Sequence, residues 1–479
     1  MGKCKIFTII VAMALVSAAV WGCRAVGRGE HGAVGGRTAE LEPGGTQADA
    51  AQPGGVPTDA AQPEGVPADV ARSGGASADV ARPGGASADV EQPGGAPADA
   101  ARSGGVPADA AQPGGSQEDA AQPGAVAIPR NWADMKIDHS MELLYADQFS
   151  VDYYDNGCAM ITIAEGGRFL VVPEHTAVPQ GIPAGVTVLR QPLNNIYLVA
   201  TSAMDLFRSL DGIDRITLSG TDAQGWYIEE ARKAMEDQSM SYAGKYNAPD
   251  YELILSKSCD LAIESTMIYH SPEVKEQLEK LGIPVLVERS SYESHPLGRM
   301  EWLKLYAVLL GREELARKRF DEQMNALNAV IGQAPTGKTV AFFYVSSNGY
   351  VNVRKSGDYV AKMIELAGGA YVPGNLEENG NSLSTMNMQM EAFYAAAKNA
   401  DYIIYNSAVD GELKSLDELL KKSSLLADFK AVKEGHVWCT EKNLFQESMG
   451  LGDMILDIHR LLTTGNPQAD EMTYIYPLR

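Results

Sequence analysis

Residues 195–218, NIYLVATSAMDLFRSLDGIDRITL, decide the fold because they predict one complete strand–helix–strand unit. Apolar residues dominate Asn195–Val199 and Arg215–Leu218, as expected for short strands that are buried on both faces. Between them, Ser202–Leu210 has apolar residues at the spacing of an amphipathic helix. A helix that joins two buried strands indicates a parallel pair.

The same alternation continues toward the carboxyl terminus. Further predicted strands and helices are Leu261–Ile263, Val285–Val287, Tyr227–Ala234 and Pro272–Leu281. A small hairpin, Ala159–Ile163 with Phe169–Val172, is expected ahead of them. Residues 129–296 are therefore predicted to form a first α/β lobe with a parallel sheet.

A second set of strands and helices predicts a second lobe of the same class over residues 332–479. Its strands and helices are Thr339–Tyr344, Tyr402–Tyr405, Val437–Cys439, Asp358–Ala367, Glu391–Lys398 and Met454–Leu462. Residues 297–331 have apolar residues at helical spacing, interrupted once at Gly311. We expect a single long helix there, stiff enough to join two Rossmann-like lobes.

The amino terminus has the features of a secretory leader. Lys3 and Lys5 precede an apolar run that is too short to cross a bilayer comfortably. The run ends in Val20-Trp21-Gly22-Cys23, which resembles a lipobox, although Trp21 replaces the usual small residue. Residues 1–22 are predicted to be a signal peptide and Cys23 the lipid-modified residue that anchors the protein to a membrane. Ordinary cleavage near Ala18, which would give a soluble secreted protein, remains the alternative.

Residues 23–128 contain a low-complexity repeat with a period of ten residues. The aspartates Asp49 to Asp119 recur once in each unit, among Pro, Gly, Ala and Val. Such units bury too little apolar surface to offset backbone entropy, so this segment is expected to be disordered. It either holds a folded receptor away from the membrane or is a repeat expansion with no selected role.

Charge and cysteine content exclude some classes of function. The formal charge is −22, and no Lys/Arg-rich stretch follows the leader, so a nucleic acid would be repelled. Cys158, Cys259 and Cys439 lie beside apolar residues and are predicted to be buried, with their redox state left open. The sequence has none of the nucleophile-elbow, zinc-protease, phosphate-loop or dinucleotide motifs, so we expect no enzyme and no cofactor. A surface adhesion or scaffold lipoprotein and an α/β hydrolase are less favoured alternatives.

Ligands of open parallel sheets bind beside the carboxyl ends of the strands. Residues in loops at these positions are the candidate ligand-binding set: Tyr227, Met267, Tyr269, His270, Tyr350, Asn352, Arg354, Asn406 and Gln446. His295 and Arg299 could line the same cleft, or they could cap and anchor the following helix. Aromatic rings and arginine donors suit a flat or anionic metal chelate. No metal site is predicted, because only two histidines fall at candidate cleft loops.

Three segments resemble one known family. They are Tyr246–Leu255 followed by Asp260–Ile263, then Glu293-Ser294-His295-Pro296-Leu297-Gly298-Arg299-Met300-Glu301-Trp302, and Met390–Tyr394 leading into Ala400–Tyr405. Their order and spacing resemble the substrate-binding lipoproteins of ABC importers for ferric siderophores, haem and cobalamin, whose two lobes are joined by a long helix. Cys259 stands where that family usually has proline.

The resemblance implies a function and a docking mode. It implies a monomeric, extracytoplasmic lipoprotein that captures an iron chelate, siderophore or haem, and delivers it to an ABC permease. A cobalamin-binding or free-metal-binding protein of the same fold is the alternative. Glu252 and Glu391 match the two family glutamates that dock into arginine-bearing pockets of the permease, although either could instead stabilise a helix start.

Overall fold

The computed structural model describes residues 130–376 and 385–479. The predicted signal peptide, Cys23 and the decapeptide repeat lie outside the described residues, so their predictions stay untested.

A five-stranded sheet leads the described region. Its strands are β1 Ile137–Ser140, β2 Phe149–Tyr154, β3 Ala159–Ile163, β4 Gly167–Val172 and β5 Val186–Arg190. β1 to β4 pair antiparallel in chain order, and β5 joins β4 in parallel. The predicted hairpin is β3 with β4, but it is part of a larger sheet. Ile161 and Cys158 are both fully buried although they lie in separate apolar clusters, so the sheet is covered on both faces.

The first lobe is built on an entirely parallel sheet. The remaining strands of this half are β6 Ile196–Leu198, β7 Ile216–Ser219, β8 Ser241–Tyr242, β9 Gly244–Lys245, β10 Ala248–Pro249, β11 Leu261–Glu264 and β12 Val285–Val287. The order in the parallel sheet is β12-β11-β6-β7-β8, while β9 and β10 form a separate short antiparallel pair. Its helices are α1 Met204–Ser209, α2 Glu229–Glu236, α3 Tyr251–Ser256 and α4 Pro272–Lys280. The predicted parallel sheet is confirmed.

Three helices connect the lobes where the sequence predicted one. They are α5 Pro296–Glu301, α6 Leu303–Leu310 and α7 Glu313–Leu327. The break at Gly311 is the one that the sequence indicated, because this residue caps α6 in the left-handed conformation with φ of 66°. A second, slighter break falls at Trp302, whose backbone stays helical.

One apolar core runs through this connection. Phe149 of the leading sheet, Trp302 and Tyr306 of the connection, and Ile404 and Ile455 of the second half belong to the same buried cluster. Close packing of this kind resists large relative movement, because every separation would open cavities.

The second lobe has a mixed sheet. Its elements are β13 Thr339–Val345, β14 Val351–Arg354, α8 Tyr359–Leu366, β15 Ala370–Val372, β16 Thr385–Met388, α9 Met390–Ala397, β17 Tyr402–Tyr405, α10 Ser407–Asp410, α11 Leu416–Lys422, α12 Lys430–Glu434, β18 Val437–Thr440, α13 Leu451–Thr464 and β19 Ile475–Pro477. Four of its strands are parallel, in the order β15, β13, β17 and β18. The sequence predicted three of them, β13, β17 and β18, as strands of a parallel sheet. β14, β16 and β19 are antiparallel additions. Asn352 and Arg354 therefore lie on a buried strand and not in a loop, because β14 pairs back onto β13.

The three cysteines of the folded part are free thiols. Cys158 and Cys439 are buried and Cys259 is half-buried, as their apolar neighbours predicted. Burial raises the pKa of Cys259 to about 11 and that of Cys439 to about 12. A raised pKa favours the protonated thiol near neutral pH, and the thiolate is the reactive form.

Candidate functional site between the lobes

Loops from the carboxyl ends of both sheets touch each other. Gln446 follows β18 of the second lobe, and Gly225 and Tyr227 follow β7 of the first lobe. The side chain of Gln446 accepts a hydrogen bond from the Tyr227 backbone N–H at 2.8 Å and donates one to the Gly225 carbonyl at 2.7 Å. Two predicted ligand-binding residues, Gln446 and Tyr227, are thus in direct contact across the lobe boundary.

Two arginines flank one buried tyrosine at the same boundary. The Arg299 guanidinium, on α5, lies 4.1 Å from the ring centre of Tyr359, on α8. The Arg354 guanidinium lies 5.9 Å from the same ring and 5.2 Å from the ring of Phe445. Arg299 is 5% exposed and Arg354 is 4% exposed, so both cations are almost fully removed from water. Arg299 therefore packs the start of the interlobe connection onto the second lobe, and Phe445 links Arg354 to Gln446.

Two buried carboxylates accompany these arginines. Asp358 forms an ion pair with Arg354 at 3.5 Å, and Glu288 follows β12 at the carboxyl edge of the first lobe. Burial raises the pKa of both carboxyls, and the positive charge of Arg299 partly offsets the increase at Glu288. Opposite charges from both lobes and the connection therefore meet in a low-dielectric region, where their fields are strong.

The Arg299 guanidinium retains unused donors. Nε and Nη1 of Arg299 are buried without a hydrogen-bond partner among residues 130–376 and 385–479, whereas Nη1 of Arg354 faces the Asp358 carboxylate in the 3.5 Å ion pair. The Oδ1 atom of Asn406, at the carboxyl end of β17, also lacks a partner in the same ranges. Buried polar atoms normally have partners, so these positions call for a group that the protein does not supply. Guanidinium donors select a carboxylate, phosphate or other oxyanion.

The other candidate residues lie elsewhere along the carboxyl edges. Met267, Tyr269 and His270 share the 3-10 turn Thr266–His270 after β11, and Tyr269 is 44% exposed. Tyr350 lies in the turn between β13 and β14 and is 37% exposed. The Asn352 amide donates to Oδ1 of Asn387 on β16 at 3.0 Å, so a packing role accounts for part of its chemistry.

His295 has a clear structural role. Its Nδ1 atom accepts the Leu297 backbone N–H at 3.2 Å, which caps α5, and its ring stacks on Tyr145 with centres 4.7 Å apart. Burial, with a contribution from Lys362, lowers the pKa of His295. The helix-capping interpretation of His295 therefore has direct structural support, while ligand contact stays a prediction.

Glu293 and Glu301, in the same motif, have a structural role that the sequence did not predict. The buried carboxylate of Glu301 accepts the backbone N–H groups of Leu144, Tyr145 and Ala146 at 2.8 to 3.0 Å. Glu293 accepts those of Asp147 and Gln148 at 3.0 and 3.1 Å. Two carboxylates thus hold five successive N–H groups and fix the leading sheet to the connection. The signal that the sequence offered is a pair of acidic residues in an apolar segment, one just before α5 and one at its end.

The two proposed docking glutamates occupy equivalent places. Glu252 is the second residue of α3 and Glu391 the second residue of α9, and both are exposed. Each helix leads into a parallel strand, β11 or β17, through the connections 257–260 and 398–401. Each connection ends in an aspartate that accepts a backbone N–H beside the neighbouring strand: Asp260 from Asn195 at 2.9 Å, and Asp401 from Thr339 at 2.8 Å. Because a helix that returns to a parallel strand starts near the strand ends, both glutamates lie toward the carboxyl edge of their sheet.

Metal-binding clusters and membrane-spanning helices are both absent from the described residues. No group of three or more His, Cys, Asp or Glu side chains in residues 130–376 and 385–479 could hold a metal ion. Within the same ranges, no helix combines the length and the hydrophobicity that a membrane crossing requires.

Parts of this chain are similar to known proteins. Residues 217–444 match the model of the family described as periplasmic binding protein. Two uncharacterized lipoproteins of Methanocaldococcus jannaschii are each 24% identical, over 355 and 356 residues, which cover 68% and 70% of this chain and 82% and 86% of theirs. Similar solved structures include the periplasmic haem-binding protein HutB of Vibrio cholerae, with 19% identity, a TM-score of 0.45, and coverage of 57% of this chain and 99% of that one. The catecholate-siderophore-binding protein VctP of the same organism has 13% identity, a TM-score of 0.44, and coverage of 56% and 94%.

Residues 217–444 are therefore similar to the periplasmic binding protein family, in agreement with the resemblance carried by the three sequence segments. The family consists of solute-binding proteins of ABC importers, which are not enzymes.

Proposed function

We propose that this chain is the extracytoplasmic substrate-binding component of an ABC importer that captures an iron chelate, either a ferric siderophore or haem, and delivers it to the permease. One observation carries the proposal: loops from the carboxyl ends of both sheets meet near the buried Arg299, whose Nε and Nη1 atoms have no hydrogen-bond partner in the part of the chain that the structure describes. A chelate with an anionic oxygen group would supply those partners. The exposed rings of Tyr227, Tyr269 and Tyr350 suit the flat faces of such a ligand.

The ligand can be identified by its effect on thermal stability. We would screen the protein against ferric siderophores, haem, cobalamin and free divalent cations by differential scanning fluorimetry. A true ligand raises the melting temperature with its concentration, because about 2.7 kcal/mol of stabilisation accompanies a concentration one hundred times its Kd. We expect an iron chelate to give the largest shift. A larger shift with cobalamin or with a free cation would replace the iron chelate as the cargo.

Glu252 and Glu391 are the proposed contacts with the permease. Both lie at the second position of equivalent helices, and neither forms an ion pair within residues 130–376 and 385–479. A pair of separated, unpaired carboxylates can orient the protein on two basic pockets, and exposed charge pairs are weak enough to permit release.

Membrane attachment is proposed to occur through Cys23. The two M. jannaschii relatives are described as lipoproteins, and the sequence before Cys23 resembles a lipobox. We expect Cys23→Ala to move the protein from the membrane fraction to the soluble fraction, because the acyl chains would be lost. A protein that stays in the membrane fraction after this substitution would disprove the anchor.

A further inference from the structure

A short segment of the second lobe is hydrogen-bonded to the first lobe at three places. Gln446 binds Gly225 and Tyr227, the Ser448 hydroxyl donates to the Ser202 carbonyl at 2.8 Å, and the Met449 N–H donates to Oδ2 of Asp205 at 2.7 Å. All residues from 446 to 449 are buried. We call these four residues the interlobe strap. Separation of the lobes at this point would expose or break every one of these hydrogen bonds.

Gln446 differs from the other members of the strap because its side chain uses both ends of the amide. The oxygen accepts an N–H and the nitrogen donates to a carbonyl two residues earlier in the first lobe. This arrangement reproduces the hydrogen bonding of a neighbouring parallel strand, and it holds the backbone on both sides of Trp226, directly before Tyr227. The Tyr227 ring itself remains 46% exposed, so a rigid backbone carries an accessible ring.

The same segment reaches the buried arginines. Phe445, directly before Gln446, lies 5.2 Å from the Arg354 guanidinium, and Arg354 and Arg299 share the ring of Tyr359. A contiguous set of contacts therefore joins the exposed Tyr227 to the buried cations through two adjacent residues. A change in the separation of the lobes at Gln446 would move Tyr227 relative to Arg354.

We propose that Gln446 is a positioning residue that clamps the two lobes at a fixed separation and so sets the place of Tyr227 relative to Arg354. In this proposal Gln446 does not contact the ligand itself but acts on the ligand site through Tyr227. This inference rests on the proposed function for its biological meaning, but its physical content concerns the lobe separation alone and can be tested without any ligand.

The test is a distance measurement as a function of pH. Spin labels are attached after Lys280→Cys on α4 of the first lobe and Lys421→Cys on α11 of the second, both exposed positions. Electron–electron resonance then gives the distribution of distances between pH 5 and pH 9. With Gln446 present, we expect one narrow distribution at every pH, because an amide does not titrate in this range and because Asp205, the strap's partner with a pKa of about 6, can accept the Met449 N–H whether its carboxyl is protonated or ionised.

Gln446→Glu separates the clamp from a general packing role. A protonated carboxyl can donate to the Gly225 carbonyl and accept from Tyr227, whereas the ionised form places two oxygens against each other. We expect a distribution like that of the parent protein at pH 5, and a broader one with a longer mean at pH 9. Gln446→Ala should give the broad distribution at every pH, because both hydrogen bonds are gone.

Gln191→Glu is the matched control. Its amide also bonds to backbone carbonyls, those of Val308 and Leu309 on α6, but it does not touch the second lobe. We expect its distribution to match the parent at all pH values. A narrow distribution like that of the parent protein, either for Gln446→Glu at pH 9 or for Gln446→Ala at any pH, would overturn the clamp. A failed ligand screen with a broadened Gln446→Glu would instead reject the cargo and leave the clamp standing.

Discussion

The charged residues between the lobes and the charged residues on the two glutamate-bearing helices are held in opposite ways. Arg299, Arg354 and Asp358 are buried, immobilised by aromatic rings and by each other. Glu252 and Glu391 are exposed and form no ion pair within the described ranges. Buried charges carry a desolvation cost that only close partners offset, while exposed charges contribute little to folding. The buried set is therefore suited to hold a ligand inside the protein, and the exposed set is suited to contact a partner outside it.

Reversing the exposed pair should have the largest effect on transport. For Glu252→Arg with Glu391→Arg, we expect uptake of the cognate chelate to fall by about 100-fold or more, because both docking charges become repulsive toward basic pockets. Ligand affinity should stay within about twofold, since both side chains are exposed and neither takes part in the hydrogen bonds between the lobes. The measurements are cellular uptake and calorimetric binding on the same variants.

Glu273→Arg serves as the control for this pair. Glu273 is also an exposed second residue of a helix, but its helix α4 lies between β11 and β12 and is not one of the two helices that carry the proposed docking glutamates. Its reversal costs a similar helix-dipole contribution of about 0.3 to 1 kcal/mol, so equal loss of uptake in this variant would favour the structural role of the two glutamates.

Removing a buried cation should have the next largest effect, this time on binding. We expect Arg299→Met to weaken the affinity for the stabilising chelate by roughly 10- to 100-fold, because a charge-assisted hydrogen bond contributes about 1.5 to 3 kcal/mol. Arg289→Met is the matched variant: Arg289 is also buried and its Nε also lacks a hydrogen-bond partner among the described residues, but its Nη1 pairs with Glu165 of the leading sheet and its guanidinium stacks on Tyr292. Calorimetry that finds the same affinity for both variants would assign Arg299 to packing alone.

The fold was more predictable than the contacts between the lobes. Short apolar runs such as Val285–Val287 and Tyr402–Tyr405 are strands with the predicted bounds, because a fully buried strand must be apolar throughout. β14 escaped prediction because Asn352 and Arg354 give it a polar pattern that only tertiary pairing explains. The sequence placed Gln446 at a carboxyl edge of the sheet. Its partner Tyr227 lies 219 residues away along the chain, and no local sequence pattern predicts a contact between residues so far apart.

A buried carboxylate should matter more for stability than an exposed one. We expect Glu301→Gln to reduce the free energy of unfolding by about 2 to 4 kcal/mol, because three backbone N–H groups and Lys304 lose a charged acceptor. Glu279→Gln, which breaks only an exposed pair with Lys275, should change it by less than about 0.5 kcal/mol. Chemical denaturation of the two variants measures the contrast, and equal effects would mean that the leading sheet is not fixed by Glu301.

The smallest effect is expected from pH. Burial raises the pKa of Asp205 to about 6, and it also raises the pKa of Glu288 and Asp358. These groups therefore bind protons more tightly in the folded state, so their stabilisation is complete below the unfolded pKa near 4 and is lost as pH rises through the folded pKa. Hydrogen bonds and the charge of Lys430 outweigh burial at Asp401 and lower its pKa to about 2, which costs stability only below about pH 4.

The buried carboxyls should consequently make the protein more stable at pH 5 than at pH 7, while the lowered pKa of His295 opposes part of this difference. For Asp205 alone the difference is about 1 kcal/mol, and Asp205→Asn should remove that part of the pH dependence. Denaturation midpoints at the two pH values provide the measurement. A higher midpoint at pH 7 would show that the buried carboxyls are stabilised mainly in their ionised form.

Native mass spectrometry tests the central claim most directly, because it counts bound molecules without assuming what they are. When the protein is mixed with the chelate that gives the largest thermal shift, we expect one molecule bound per chain, with occupancy reduced in Arg299→Met and retained in Arg289→Met. A folded protein that binds none of the screened iron chelates, or equal occupancy in both arginine variants, would contradict a cargo site between the lobes.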